Sequence, residues 1–368
     1  MPPAKRPSRS TKAIPAADGL LAAAPEGSSA APPPAAALES ILGHQDAVTT
    51  LTRALAAGRV HHAFIFHGPA GVGKFTTALA FAARLLAIEP AAVRNHPDLH
   101  VITKELASLS RESEVRKRKQ SNIPREVLLQ FLLEPAAVAS MCGLRPGAAA
   151  SKVFIVDQAE MMDDRGQNTL LKTLEEPAPG TVIILVTSEE AGLLATIRSR
   201  CQRIGFGPLD QASMQHWLEA SGLSVPAEQR QWLIWHAQGS PGALLVALKS
   251  DLFACHQQLE PLLAPTDGGA PPAATLGSVL AEIVESRAKQ VVEADKLASK
   301  DAANRAWAYR LLGFLAHRYA DRLRAPSEIS RARALSALRL LRDAEQQIES
   351  NVRFADVAEN FAAQLGAS

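Results

Sequence analysis

An α/β domain built on a parallel sheet, followed by a small helical domain and an all-helical C-terminal region, is the fold class the sequence predicts. Three observations predict it. The run Gly68-Pro69-Ala70-Gly71-Val72-Gly73-Lys74 is a glycine-rich phosphate-binding loop. It lies between the short apolar run Ala63–His67 and an Ala/Leu-rich stretch from Lys74 to Leu86, the strand, loop, helix setting that such a loop requires. Leu99 to Thr103, Lys152 to Asp157 and Thr181 to Thr187 are nearly continuous apolar runs, the pattern of strands covered on both faces. Beyond Pro208 apolar residues recur only at helical spacing and no strand signal returns.

Taken in order, residues 1–38 are rich in Ala, Pro and Ser, with Lys5, Arg6, Arg9 and Lys12 ahead of the first acid, Asp18. Such composition cannot bury enough apolar surface to order itself, so a disordered tail is expected, with an organellar transit peptide as the lesser alternative. Val48, Leu51 and Leu55 mark an amphipathic helix from Gln45 to Ala57, stopped by Gly58. The α/β domain is expected over 39–205. Trp217, Leu218, Trp232, Leu233, Trp235 and Leu244 mark a small helical domain over 206–250. An all-helical domain is expected over 251–368, strongest from Ala302 to Arg324 and from Ile329 to Ser350, with a Pro/Gly-rich interruption at Pro265–Pro272. Helices of this size with apolar stripes are expected to bury them against other subunits. There is no internal repeat.

With 368 residues and a net charge of +2, the chain carries several domains but no global basic field of the kind that marks a dedicated nucleic-acid binder. The basic run Arg111–Gln120, including Arg116 and Lys119, has no interleaved aromatics and reads as a solvated loop, with DNA contact as the alternative. Cys142, Cys201 and Cys255 lie far apart, without zinc spacing or a disulfide framework. His61, His62, His67, His96 and His100 form no ligand-spaced set, so no metal site is expected. No apolar run approaches the roughly 20 residues of a membrane span and no leader pattern is evident, so a cytoplasmic protein without membrane contact is the expectation.

The chemistry lies behind the loop. In a working phosphate loop, backbone N–H groups cradle phosphates, the lysine reaches the β and γ phosphates, and a following Ser or Thr holds Mg²⁺. Here Phe75 follows Lys74, and an aromatic ring cannot ligate a metal. The strand Val153-Phe154-Ile155-Val156 ends in Asp157, the acid that would position Mg²⁺, but Gln158 stands where hydrolysing enzymes place a glutamate to polarise water. An amide cannot take that proton. Glu160, three residues on, is expected to point elsewhere at a helix start. Hydrolysis by this chain is therefore not expected.

Next come Asn168-Thr169-Leu170-Leu171-Lys172-Thr173-Leu174-Glu175-Glu176-Pro177, a short helix closed by proline, and Thr196-Ile197-Arg198-Ser199-Arg200-Cys201. The order phosphate loop, VDQAE, LLKTLEEP, a Thr187-Ser188 strand end and Ser199-Arg200-Cys201 resembles the AAA+ clamp-loader family, with His96-Pro97-Asp98-Leu99-His100 and Ile123-Pro124 in support. The resemblance covers about 40–250, with a weaker match at Ala344-Glu345 and Asn351. It implies an AAA+ module, a helical lid and a collar-type C-terminal domain. Further, it implies that Arg200 is an arginine finger acting in trans on ATP held by an adjacent subunit, and that Gly68, Gly71, Gly73, Lys74, Asp157 and the sensor Thr187 form a degenerate nucleotide site. The partners implied are other clamp-loader subunits of the gamma/tau and delta types, with the sliding clamp and primed DNA reached through the complex.

Two departures sharpen the resemblance. The family's four-cysteine zinc module would lie between the loop helix and His96, and only a short link joins Leu86 to His96, so no zinc is expected. At Gly239-Ser240-Pro241-Gly242-Ala243, the second sensor position, no arginine stands. With Phe75 and Gln158 this favours a non-hydrolysing subunit that needs no cofactor, while Lys74 and the glycines leave ATP binding open. The alternative is an active gamma-like motor with Thr76 as the hydroxyl and Glu160 as the base. A one-residue shift turns a helical side chain by about 100°, which argues against it.

Overall fold

The computed structural model describes residues 37–117, 122–263, 273–294 and 299–367. The expected tail (residues 1–36), part of the basic run (118–120) and the interruption Pro265–Pro272 lie outside them. The chain divides into two compact units, one of residues up to Pro69 and from Gly73 to Gly207, the other of Ala70–Val72 and Pro208 onward.

In the first unit a short turn, Leu38–Ser40, fully buries Leu38, a residue that the sequence reading assigns to the disordered tail. Then follow α1 (Gln45–Ala56), β1 (Ala63–His67), α2 (Lys74–Leu85) and β2 (Leu99–Ile102). Next are α3 (Ser113–Lys117), α4 (Arg125–Leu128), a π-turn at Leu129–Leu133 and α5 (Glu134–Ala137). Last come β3 (Lys152–Val156), α6 (Asp164–Glu175), β4 (Thr181–Thr187), α7 (Ala195–Arg198) and β5 (Gln202–Gly205). The five strands pair in the order β2-β3-β4-β1-β5, every pair parallel.

Alternation along β1 shows why these strands read as continuous apolar runs. Phe64 and Phe66 face one layer, where both meet Phe81 of α2 at 5.3 and 6.4 Å between ring centroids. Ile65 faces the other, in a core with Phe154, Ile183, Leu128, Leu170 and Ile197. Helices on both sides leave no solvent face on the central strands. The strand β5 had no such signal: it lies at the sheet edge, and Ile204 alone of its residues is buried. Asp163 caps α6 by accepting from the Gly166 N–H at 2.6 Å, and Pro177 follows its end.

The second unit is helical among its described residues: α8 (Gln211–Ala220), α9 (Ala227–Ala237), α10 (Pro241–Lys249), α11 (Leu252–Leu263), α12 (Ala273–Ala294), α13 (Lys300–Arg322), α14 (Glu328–Glu349) and α15 (Phe354–Ala367). Asp210, Ser240, Ser299 and Ser327 cap α8, α10, α13 and α14 through side-chain oxygens. Its interior holds a histidine–tryptophan cluster drawn from α9, α11 and α13. Trp232 is stacked between His236 and His256, each 5.1 Å away, and His317 sits 5.2 Å from His236. Among the described residues no helix is long and apolar enough to cross a membrane.

Candidate functional site

Parallel strands deliver their following loops to one edge of the sheet, and ligands of such sheets bind there. The register sets His67 of β1 beside Thr187 of β4 and Val156 of β3 beside Leu185. The phosphate loop, Asp157 and Thr187 therefore meet at the carboxyl ends of three adjacent strands. Gly68 has φ 140°, and a Cβ there would lie 2.0 Å from the Phe206 carbonyl oxygen, so glycine is required by both backbone and space. Gly73, with φ 112°, turns the chain into α2.

Lys74 is buried, and its ammonium donates to the carbonyl oxygens of Gly68 and Pro69 at 2.7 and 2.6 Å. The loop thus satisfies its own lysine. Burial lowers the Lys74 pKa, against the opposing charges of Glu160 and Asp157. Asp157 is pushed up to about 6, first by burial, then by Glu160 and Glu105, while the Gln158 N–H and Lys74 oppose the rise. A carboxyl at that value is still mostly ionised at neutral pH and takes up a proton on mild acidification.

Phe75 is half-buried, with the Arg94 guanidinium 5.9 Å from its ring centre. Thr76 is exposed, and the buried Thr77 hydroxyl donates to the Gly73 carbonyl at 3.0 Å. No hydroxyl among residues 75–77 takes the place a magnesium ligand would need. Gln158 is exposed with φ 52°, a left-handed turn unusual for a non-glycine residue.

That turn corrects the expectation for Glu160. It re-aims the chain so that Glu160 accepts hydrogen bonds from the Ser188 N–H and hydroxyl at the end of β4. Burial opposes its ionisation, but Ser188 and Thr187 outweigh this and hold the carboxyl below its ordinary range. Its second oxygen, Oε2, is buried without a hydrogen-bond partner. Glu160 therefore belongs to the site. Sequence spacing alone pointed it away, and only a left-handed Gln158 would have shown otherwise. The Thr187 hydroxyl is fully buried and accepts from the Glu189 N–H at 3.1 Å, a local cap.

Arg200 lies apart from this cluster, between α7 and β5. Its Nη2 pairs with Glu175 of α6 at 2.7 Å and its Nη1 donates to the Thr196 carbonyl at 3.0 Å. Both side chains are substantially exposed, at 36% and 49%. Within the second unit, Gly71 has φ 74°; its carbonyl accepts from the Gly242 N–H at 2.9 Å, and the Ser240 hydroxyl donates to Ala70 at 3.0 Å.

Residues 43–210 match the family model described as "DNA polymerase III, delta subunit". Over this region the chain is similar to DNA polymerase III clamp-loader subunits. The DNA polymerase III subunit delta' of Pseudomonas aeruginosa is 31% identical over 49% of this chain and 53% of its own length. The delta' subunit of Bacillus subtilis is 31% identical over 45% and 48%, and the tau subunit of the same organism 32% over 46% and 28%. The chain thus spans about half the length of the delta' relatives it matches. Among solved structures, a DNA polymerase III gamma subunit-related protein from Thermotoga maritima aligns over 86% of this chain and 98% of its own, at 16% identity and a TM-score of 0.48. The architecture is a five-stranded parallel sheet flanked by helices, followed by a region that is helical among its described residues.

Proposed function

We propose that this chain is a cytoplasmic, delta-prime-like clamp-loader subunit that does not hydrolyse ATP itself and lends Arg200 to ATP held by an adjacent subunit. One observation carries the reading: behind Lys74 stand a phenyl ring, an outward threonine and a threonine spent on Gly73, so no side chain takes the magnesium-binding place. Gln158, an amide where a base is needed, removes water activation as well. Neither defect touches Arg200. Its present partner is a half-exposed carboxylate in a pair worth about 0–1 kcal/mol, so a neighbour's γ phosphate would displace Glu175 at little cost. A guanidinium there stabilises the charge that spreads in phosphoryl transfer.

In this reading the subunit is part of a DNA polymerase III holoenzyme, assembled with gamma/tau- and delta-type subunits to load a sliding clamp on primed DNA. The lid would span about 206–250 and the oligomerising collar 251–368. Exposed Ile329 and Leu335 of α14 support an intersubunit role for that region. A hydrolysing reading gains one observation, the unpartnered Glu160 oxygen acting on Lys74. Turnover separates the two. The purified chain is expected to show no ATPase above background, and hydrolysis abolished by Lys74→Ala would establish the second reading. In the reconstituted complex, Arg200→Ala is expected to lower DNA-stimulated ATPase at the site it serves by at least about tenfold with assembly intact. Unchanged turnover would assign Arg200 to structure.

A further inference from the structure

His96 and Asp98 flank Pro97 just before β2, and Cys142 lies in the loop after α5. Cys142 is 44 residues from Asp98 in sequence, yet an imidazole nitrogen, a carboxylate oxygen and the Cys142 sulfur lie within 4.8 Å of one another. We propose that His96, Asp98 and Cys142 bind a single zinc-type divalent cation, with water as the fourth ligand. None of these residues belongs to a four-cysteine module, and the inference is independent of the role assigned to Arg200.

The donor set is the first argument. Imidazole nitrogen, thiolate sulfur and carboxylate oxygen are the three ligand types zinc takes, at roughly 2.0–2.3 Å, and three protein ligands leave the fourth position open. Asp98 supplies the second. It is buried, and its Oδ2 accepts from the Ser140 hydroxyl at 3.0 Å and the Cys142 N–H at 2.9 Å, whereas Oδ1 accepts from the Met141 N–H at 2.8 Å. A carboxylate oxygen has two lone-pair directions, so Oδ1 retains one for a metal. Those same hydrogen bonds fix the turn that carries Cys142.

The third argument is accessibility. His96 is half-buried rather than enclosed, and its Nδ1 accepts only a long hydrogen bond from the Asp98 N–H, at 3.2 Å. His96 also lines a cavity of about 760 Å³. Cys142 is exposed, and rotation of its side chain draws the donors to the roughly 3.5 Å separations of a tetrahedral site. The carboxylate, the neutral imidazole and a thiolate formed by loss of one proton would leave the site neutral with a divalent ion. Bound metal would staple the loop that displays Val138, Met141 and Leu144 to the foot of β2.

The test uses the full chain, stripped by chelator and titrated with Co²⁺ alone. Expected are one equivalent bound per chain, an intense sulfur-to-cobalt charge-transfer band, bleaching by Zn²⁺, and a Zn²⁺-dependent rise in melting temperature. Cys142→Ser should abolish the band, and His96→Gln should weaken binding at least about tenfold. Neither substitution removes an Asp98 bond to the turn's backbone, so both variants should fold. Cys201→Ser and Cys255→Ser should keep the band. A band that survives Cys142→Ser, unweakened binding in His96→Gln, or no stoichiometric binding at micromolar metal would overturn the proposal.

Discussion

Two sets of buried polar groups, one in each unit, are held in contrasting ways. In the first, Lys74 donates to Gly68 and Pro69, Lys152 to the carbonyls of Pro135 and Val138, and Asp98 accepts from the 140–142 turn. Each of these charges holds a neighbouring segment through its backbone groups. In the second, Nδ1 of His236, His256 and His317 and Nε1 of Trp232 are buried with no hydrogen-bond partner. Their cluster is held by ring stacking, which tolerates neutral imidazoles and punishes charged ones. A hydrogen-bonded charge stabilises its surroundings only while its partners stay in place; a stacked imidazole does so only while it stays unprotonated.

The comparison breaks first at Lys152. Replacing it by Ala should leave two buried carbonyls without their donor and remove the packed stem, for a loss of roughly 3–4 kcal/mol read by hydrogen exchange in β3. A loss below about 1 kcal/mol would mean that those contacts are incidental.

Acid should find the other unit. His236 is pushed down to about 4 from 6.5, first by burial, then by His317 and His256, and the other two histidines are shifted the same way. The facing charges are Glu260 and Arg318 beside His256 and Asp321 near His317. As pH falls, the unfolded chain takes up protons before the folded one. Stability is therefore complete above about pH 6.5 and declines toward pH 4, by at most about 3 kcal/mol for His236. All four tryptophans, Trp217, Trp232, Trp235 and Trp307, lie in this unit, so denaturant titration followed by tryptophan fluorescence isolates it. His236→Phe should flatten the profile, and an unflattened one would locate the acid response elsewhere.

The smallest effect sharpens the contrast between stability and function. Arg200→Ala removes a substantially exposed pair and should change the isolated chain's stability by less than about 1 kcal/mol. A larger loss would make Arg200 a structural residue.

How much was legible follows the same physics. The strands β1, β3 and β4 announced themselves because both faces are covered, so nearly every interior position is apolar. The strand β5 did not, because an edge strand with one buried residue carries no pattern. The loop residues and Asp157 could be found because backbone geometry and local order fix their types. Glu160 could not, since its direction depends on one left-handed residue. The His236 cluster and the His96, Asp98 and Cys142 group assemble from distant segments, and no local periodicity marks them.

The contact between Gly68 and the Phe206 carbonyl has a wider consequence. A hydrogen atom is all that fits there, whether or not nucleotide ever visits. Steric necessity alone would therefore keep a glycine at the motif's first position, so its presence is no measure of catalysis.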